Sequence, residues 1–113
     1  MEPPAAGAVV LVPFPFSDLS QAKLRPAAVL ADAGREDFIL CQITSNPYSD
    51  PTAIELSDLS FASGSLQRLS YARPGKLFTA HLSLLCAEVA ILRSEVLREL
   101  SGRVIALLQQ SQP

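Results

Sequence analysis

Leu11–Ala31 reads LVPFPFSDLSQAKLRPAAVLA, and Ile39–Ser45 reads ILCQITS. In the first stretch two β-rich runs flank a polar loop that ends on Arg25-Pro26, so a cation stands at the entrance of the apolar run Ala27 to Ala31. In the second, an apolar run gives way to Gln42, Thr44 and Ser45, the pattern of a strand that delivers hydroxyls to its own end. Arg25 and Thr44 are therefore expected to face one pocket.

Working outward, Gly7 opens AVVLVP, a first strand too short for a typical helix. Pro13 and Pro15 are expected to end it, because each removes a ladder donor and restricts the residue before it. Ser17 to Lys23 has turn chemistry, which places Ser17, Asp18, Gln21 and Lys23 on a mobile loop. Pro26 then takes the first position of a second strand, Ala27 to Ala31, with a turn around Asp32-Ala33-Gly34. Asp37 to Thr44, almost continuously apolar, reads as the third and most buried strand. Turn formers from Asn46 to Pro51 break it, and Ala53 to Leu56 alternates as a short fourth strand. Ser57 to Gln67 reads as a loop with at most a short turn of helix. Leu69 to Ala72 and Lys76 to Thr79 read as two β segments around Arg73-Pro74-Gly75, and Cys86 to Leu92 as a last strand.

Ser94 is expected to cap a helix that runs to about Gln109. Val96, Leu97, Leu100, Val104, Leu107 and Leu108 form one apolar face along it, and Gly102 in its interior suggests close packing. Many short strands followed by one amphipathic helix predict an α+β fold, a strongly curved antiparallel sheet or small β-barrel of six or seven strands closed by a C-terminal helix. Residues 1–6 are expected to fray, 7–110 to form one domain, and 111–113 to be a tail.

The chain has 113 residues, 49% hydrophobic and 18% charged, enough apolar material for one core. No apolar run is long enough to span a bilayer, and Met1-Glu2-Pro3-Pro4 lacks the start of a secretory signal, so a cytoplasmic protein is expected. Cys41 and Cys86 lie apart in apolar runs and read as buried small hydrophobes, with no metal site. The net charge of −2 excludes a protein that coats nucleic acid by bulk electrostatics. Three basic and eight acidic residues lie through Ser60, against six basic and three acidic from Phe61 onward. An anion site must therefore be local, drawn from Lys23, Arg25, Arg68, Arg73 and Lys76.

The segments GAVVLVPFPFSDLSQAKLRPAAVLA, ILCQITS and LSYARPGKLFTAHLSLL, with a helix after ILRSE, together resemble the PemK/MazF family of toxins from bacterial toxin–antitoxin pairs, from about Gly7 to Leu108. The resemblance implies an SH3-like barrel with a C-terminal helix, usually a homodimer, and a metal-independent endoribonuclease that needs no cofactor. Its substrate would be single-stranded RNA, cut to a 2′,3′-cyclic phosphate, and its partner a cognate antitoxin. On the family pattern Arg25 and Thr44 carry the chemistry, while Ser17, Gln21, Lys23, Gln42, Ser45, Arg73 and Lys76 are RNA-binding candidates. The chain departs from the family at Ala8, where members often have an acidic residue, and at Gly75, where many have Asp.

Arg25 suits the charge on a phosphorane, since its planar fork donates bidentately and stays ionised. Thr44 suits orientation by hydrogen bonding; an alcohol is too weak a base to take a proton near neutral pH. His81, the only imidazole, and Asp18, in the loop before Arg25, are the candidates for acid–base work, and a slow enzyme that relies on positioning and charge alone is a third alternative. Two alternatives stay open: a non-enzymatic toxin of the same fold, like the CcdB gyrase poisons, or a catalytically degenerate binding protein. The CcdB toxins need C-terminal residues including a Trp, and this chain has none.

Overall fold

A computed structural model of the chain describes residues 1–15 and 22–113, the side chains of 14, 15 and 22 apart. Among the described residues seven strands form one antiparallel sheet: β1 (Ala8–Pro15), β2 (Ala22–Gly34), β3 (Asp37–Thr44), β4 (Ile54–Leu56), β5 (Phe61–Gly64), β6 (Ser70–His81) and β7 (Ala87–Leu92). Their order across the sheet is β4-β6-β3-β2-β1-β7-β5, and helix α1 (Ser94–Gln110) follows. Ile54 and Leu56 of one edge strand and Phe61 of the other share an apolar cluster with Leu100 of α1. In a flat sheet those edges would lie about 29 Å apart, six strand spacings. Burying them together curls the sheet into a half-barrel around the helix, in agreement with the α+β barrel expected.

Alternation along the strands divides the core between the two faces. Val9, Ala28 and Cys41 pair across three strands and join the cluster under α1, whereas Val10, Ala27, Val29, Phe38 and Leu40 build a second cluster with Ala80 and Leu85. The third strand has the expected bounds, and Phe38, Leu40, Cys41 and Ile43 in it are buried.

Several expectations are corrected. β1 runs on to Pro15, past both prolines. The Leu11 carbonyl accepts from Cys86 N at 2.9 Å, so the odd residues here turn their backbone groups away from β2. Pairing with β7 stops at Leu11↔Ala87, and among the described residues the missing N–H groups of Pro13 and Pro15 face no strand. β2 begins at Ala22, which places Lys23, Arg25 and Pro26 inside a strand. Its turn falls at Arg35 and Glu36, both with left-handed φ (56° and 63°), the geometry of a two-residue hairpin. The Ser57 to Gln67 stretch contains a strand, β5, as well as a 3-10 turn over Asp58–Ser60. The two β segments around Pro74 are one strand, β6. Arg93 is the helix N-cap, and the Ser94 hydroxyl bonds Glu95 instead of a backbone N–H. Cys86 is exposed. Pro4 is buried, residues 1–3 are exposed, and Ala8 N donates to the Ala5 carbonyl at 3.1 Å. The expected loop at Ser17 to Gln21 lies outside the described residues.

Helix α1 offers a matched pair of stability tests. Leu100 is fully buried, and Leu100→Ala should cost about 2–5 kcal/mol. Gly102 is exposed and a Cβ there would meet nothing within 4 Å, so the close packing expected is absent. Gly102→Ala should therefore raise stability by up to about 1 kcal/mol. Urea unfolding of the two variants checks both signs, and a loss at Gly102→Ala would show that this face of the helix is covered.

Candidate functional site

The site begins where the β2–β3 ladder ends. The Val29 carbonyl accepts from Gly7 N at 2.8 Å, so odd residues in this part of β2 turn their polar backbone towards β1 and the even residue Pro26 turns towards β3. Pro26 has no N–H to give, and the last β2–β3 pair is Ala27↔Gln42. Continuing that register by two residues sets Arg25 opposite Thr44, on the same face as Gln42. Both residues are half-buried and line the cleft that opens between the strands.

A second irregularity supplies the opposite wall. β3 pairs with β6 at Cys41↔Leu77 and again at Ile43↔Ala72, so the four residues Arg73 to Lys76 bulge out opposite Gln42 alone. The bulge is held from beneath: Cys41 Sγ–H donates to the Arg73 carbonyl at 3.0 Å. Burial pushes the Cys41 thiol up to about 12, which keeps it protonated and able to donate. Arg25, Gln42, Ile43, Thr44, Tyr48, Arg73 and Lys76 line a cleft of about 580 Å³. A second cavity of about 270 Å³ shares Arg25, Ile43 and Thr44 and adds Ser45, Gln67, Arg68 and Ser70 among its lining residues. The two form one groove with Arg25 and Thr44 at its centre.

The turn after β3 fixes Arg73. Arg73 Nε donates to Asp50 Oδ2 at 3.1 Å, and its guanidinium carbon lies 5.3 Å from the centre of the Tyr48 ring. Asp50 Oδ1 accepts from Thr52 Oγ1 at 2.6 Å and Thr52 N at 2.9 Å. These bonds to Thr52, with Arg73 beside it, hold the Asp50 carboxyl below its usual range. From the other side Arg103 of α1 donates to the Thr52 and Ala53 carbonyls at 2.9 and 3.3 Å and to Glu99 at 2.9 Å. The helix is thus tied to the turn that positions the arginine.

The structure brings together Arg25, Gln42, Thr44, Ser45, Arg73 and Lys76, as well as Arg68 from the charge argument. Lys23 is exposed on β2, two residues before Arg25, and lines neither cavity. Ser17, Asp18 and Gln21 lie outside the described residues. His81 is not brought to the site. It pairs with Asp37, at the far end of β3 from Thr44, about 23 Å away for seven residues of strand. Its Nδ1 accepts from Ser83 N at 3.1 Å, capping a 3-10 turn. Among the described residues neither cavity is lined by a carboxylate or an imidazole. Ala8, where the family often has an acid, is buried in the second core cluster. Tyr48 and Asp50 were not among the sequence candidates; the only signal was an aromatic and an acid among turn formers.

No protein-family model and no curated protein matches the sequence. Solved structures do match. The chain is similar to one from the MazE–MazF structure of Deinococcus radiodurans, with 24% identity, a TM-score of 0.76, and 98% of this chain and 100% of that one covered. It is also similar to an endoribonuclease from a mycobacterial species solved with its cognate antitoxin, with 16% identity, TM-score 0.71, and 97% and 99% covered. The Mycobacterium tuberculosis toxin MazF-mt6 matches with 13% identity, TM-score 0.65, and 88% and 96% covered. The fold is therefore that of the MazF toxins, in agreement with the resemblance read from the sequence.

The Asp50 network makes a pH prediction. A carboxyl held below its ordinary value of 3.8 stabilises the folded state above that pH, and the contribution is lost as pH falls through the folded-state value. Asp50→Asn should cost about 1–2 kcal/mol at neutral pH. Its deficit against the unsubstituted chain should shrink as the pH is lowered below 3.8. Denaturant unfolding across that range checks it, and a deficit that does not change with pH would contradict the role given to the Asp50 charge.

Proposed function

We propose that this chain is the toxin of a toxin–antitoxin pair, a cytoplasmic endoribonuclease that acts as a homodimer on single-stranded RNA without a metal ion. The observation that carries the proposal is that Arg25 and Thr44 line both cavities of a groove that also holds Arg68, Arg73 and Lys76. A local set of cations on a chain of net charge −2 suits a phosphodiester backbone at one place only. The MazF fold supports the same reading, as do neighbours solved as an endoribonuclease and with antitoxins.

In the reaction the RNA's own 2′-oxygen attacks the adjacent phosphorus, the bond to the 5′-oxygen breaks, and the 2′-hydroxyl proton ends on that leaving oxygen. The products are a 2′,3′-cyclic phosphate and a 5′-hydroxyl. Arg25 donates to the non-bridging oxygens, where negative charge grows in the phosphorane. Thr44 Oγ1 accepts from Asn46 N at 3.2 Å, which orients the hydroxyl and leaves its proton to donate to the phosphate or the 2′-oxygen. Arg73 and Lys76 hold the flanking backbone. Catalysis would then rest on positioning and charge. The antitoxin would contribute an acidic segment that competes with RNA for the same groove and folds on it.

The lack of a carboxylate or imidazole among the described lining residues favours one second reading, a chain that binds RNA without cutting it. One assay separates the two. Purified, antitoxin-free protein incubated with a long single-stranded RNA in EDTA should give discrete cuts with cyclic phosphate ends. Arg25→Ala should slow them about a hundred- to a thousandfold, Thr44→Val should slow them less, and His81→Ala should leave them unchanged. RNA that is bound but left intact would establish the second reading. Intact RNA together with growth arrest on expression would point to a target other than RNA.

A further inference from the structure

The turn between β3 and β4 presents an aromatic ring that the core does not use. Tyr48 is 63% exposed, yet it lines the larger cleft with Arg25, Gln42, Thr44 and Arg73. Its backbone and that of Ser49 take left-handed φ angles of 53° and 58°, which residues with side chains seldom adopt. The turn is pinned in that shape. Tyr48 N donates to Asn46 Oδ1 at 2.9 Å, Asp50 N to the Pro47 carbonyl at 2.9 Å, and Asn46 N to the Thr44 hydroxyl. The turn that orients Thr44 therefore also aims the ring. Conformational cost of this kind persists where the surroundings over-determine it, and it clusters at ligand sites.

Arg73 covers the ring on one side, its guanidinium fixed by Asp50. The exposed remainder is a rigid apolar plate with a cation behind it, on the lip of a groove lined by cations. A planar, electron-rich heterocycle attached to a phosphate suits both halves of that surface. We propose that Tyr48 is a nucleobase platform: a base flanking the phosphate held at Arg25 stacks on the ring, and this stacking supplies affinity and restricts which sequences are cut. The cutting half of the inference rests on the ribonuclease reading above, whereas the binding half does not.

The test therefore measures binding first. A fluorescent, random-sequence single-stranded oligodeoxynucleotide has no 2′-hydroxyl and cannot be cleaved; a fully abasic strand of the same length keeps the phosphates and removes every base. By fluorescence anisotropy the unsubstituted protein should prefer the base-bearing strand, and Tyr48→Ala should weaken that strand's binding about tenfold or more while barely changing the abasic one. Tyr48→Phe should bind as the unsubstituted chain does, and Arg25→Ala should weaken both strands. Thermal unfolding should give Tyr48→Ala the same midpoint as the parent, which separates loss of the ring from loss of the fold. On cleavable RNA, Tyr48→Ala should raise KM more than it lowers kcat and should broaden the set of cut sites. Equal binding by Tyr48→Ala and the parent, a loss in Tyr48→Phe as large as that in Tyr48→Ala, or an equal loss on the abasic strand would overturn the proposal. Binding without cutting by the parent would sink the ribonuclease reading alone. No binding of either strand by the parent would overturn both.

Discussion

Proline carries no amide hydrogen, and at position 26 that deficit decides where the sheet closes and where it opens. Every residue of β2 from Ala27 to Ala31 but Leu30 has a partner on β3; one residue earlier the ladder has no donor to continue with. Beyond that point Arg25 and Thr44 line a cleft instead of pairing across a row of hydrogen bonds. A residue with an N–H at 26 could extend the ladder and close the gap. The other wall depends on the same device. Pro74 sits in the four-residue bulge of β6, and the Cys41 thiol reaches the Arg73 carbonyl there. Two interruptions of pairing, on either side of β3, make the groove.

Once open, the groove is kept in shape by a chain of polar contacts that starts on the helix. Arg103 grips the Thr52 and Ala53 carbonyls, Thr52 grips Asp50, Asp50 grips Arg73, and Arg73 lies over Tyr48. Hydrogen bonds with a charged partner are stronger than neutral ones, and the first three of these four links are of that kind. The helix thus contributes twice, by burying Leu100 between the sheet edges and by holding the turn that carries the arginine and the ring. Local positive charge and fixed donors stand where a phosphate can lie, on a chain whose net charge is negative.

The parts of this arrangement that follow from periodicity were legible in the sequence. The bounds of β3 follow from its apolar run, and the helix from its repeating face. Arg25 and Thr44 stood out as residues, but the sequence placed Arg25 at a strand entrance, and it lies inside β2. A proline normally marks an end, and here one strand neighbour ends while the other continues. β5 was missed because it is a short edge strand with a single buried residue, Phe61, and small residues after it. At Gly64 the backbones meet closely: it has φ 65°, and a Cβ there would collide with the Val89 carbonyl. Tyr48 and Asp50 were illegible because non-glycine residues in left-handed turns follow no hydrophobic pattern, and their roles arise from contacts with Arg73, a distant part of the chain.

Whether Arg25 and Thr44 form the centre of one anion-binding groove is tested most directly by an NMR titration. Isotope-labelled protein is titrated with a short single-stranded oligodeoxynucleotide while backbone amide and arginine side-chain signals are followed. The largest shifts are expected at the Arg25 guanidinium and at the amides of Gln42, Thr44, Tyr48 and Arg73, with His81 and the exposed face of α1 unmoved. Shifts centred on α1 or on the His81 end of the sheet, with Arg25 and Thr44 silent, would contradict that assignment.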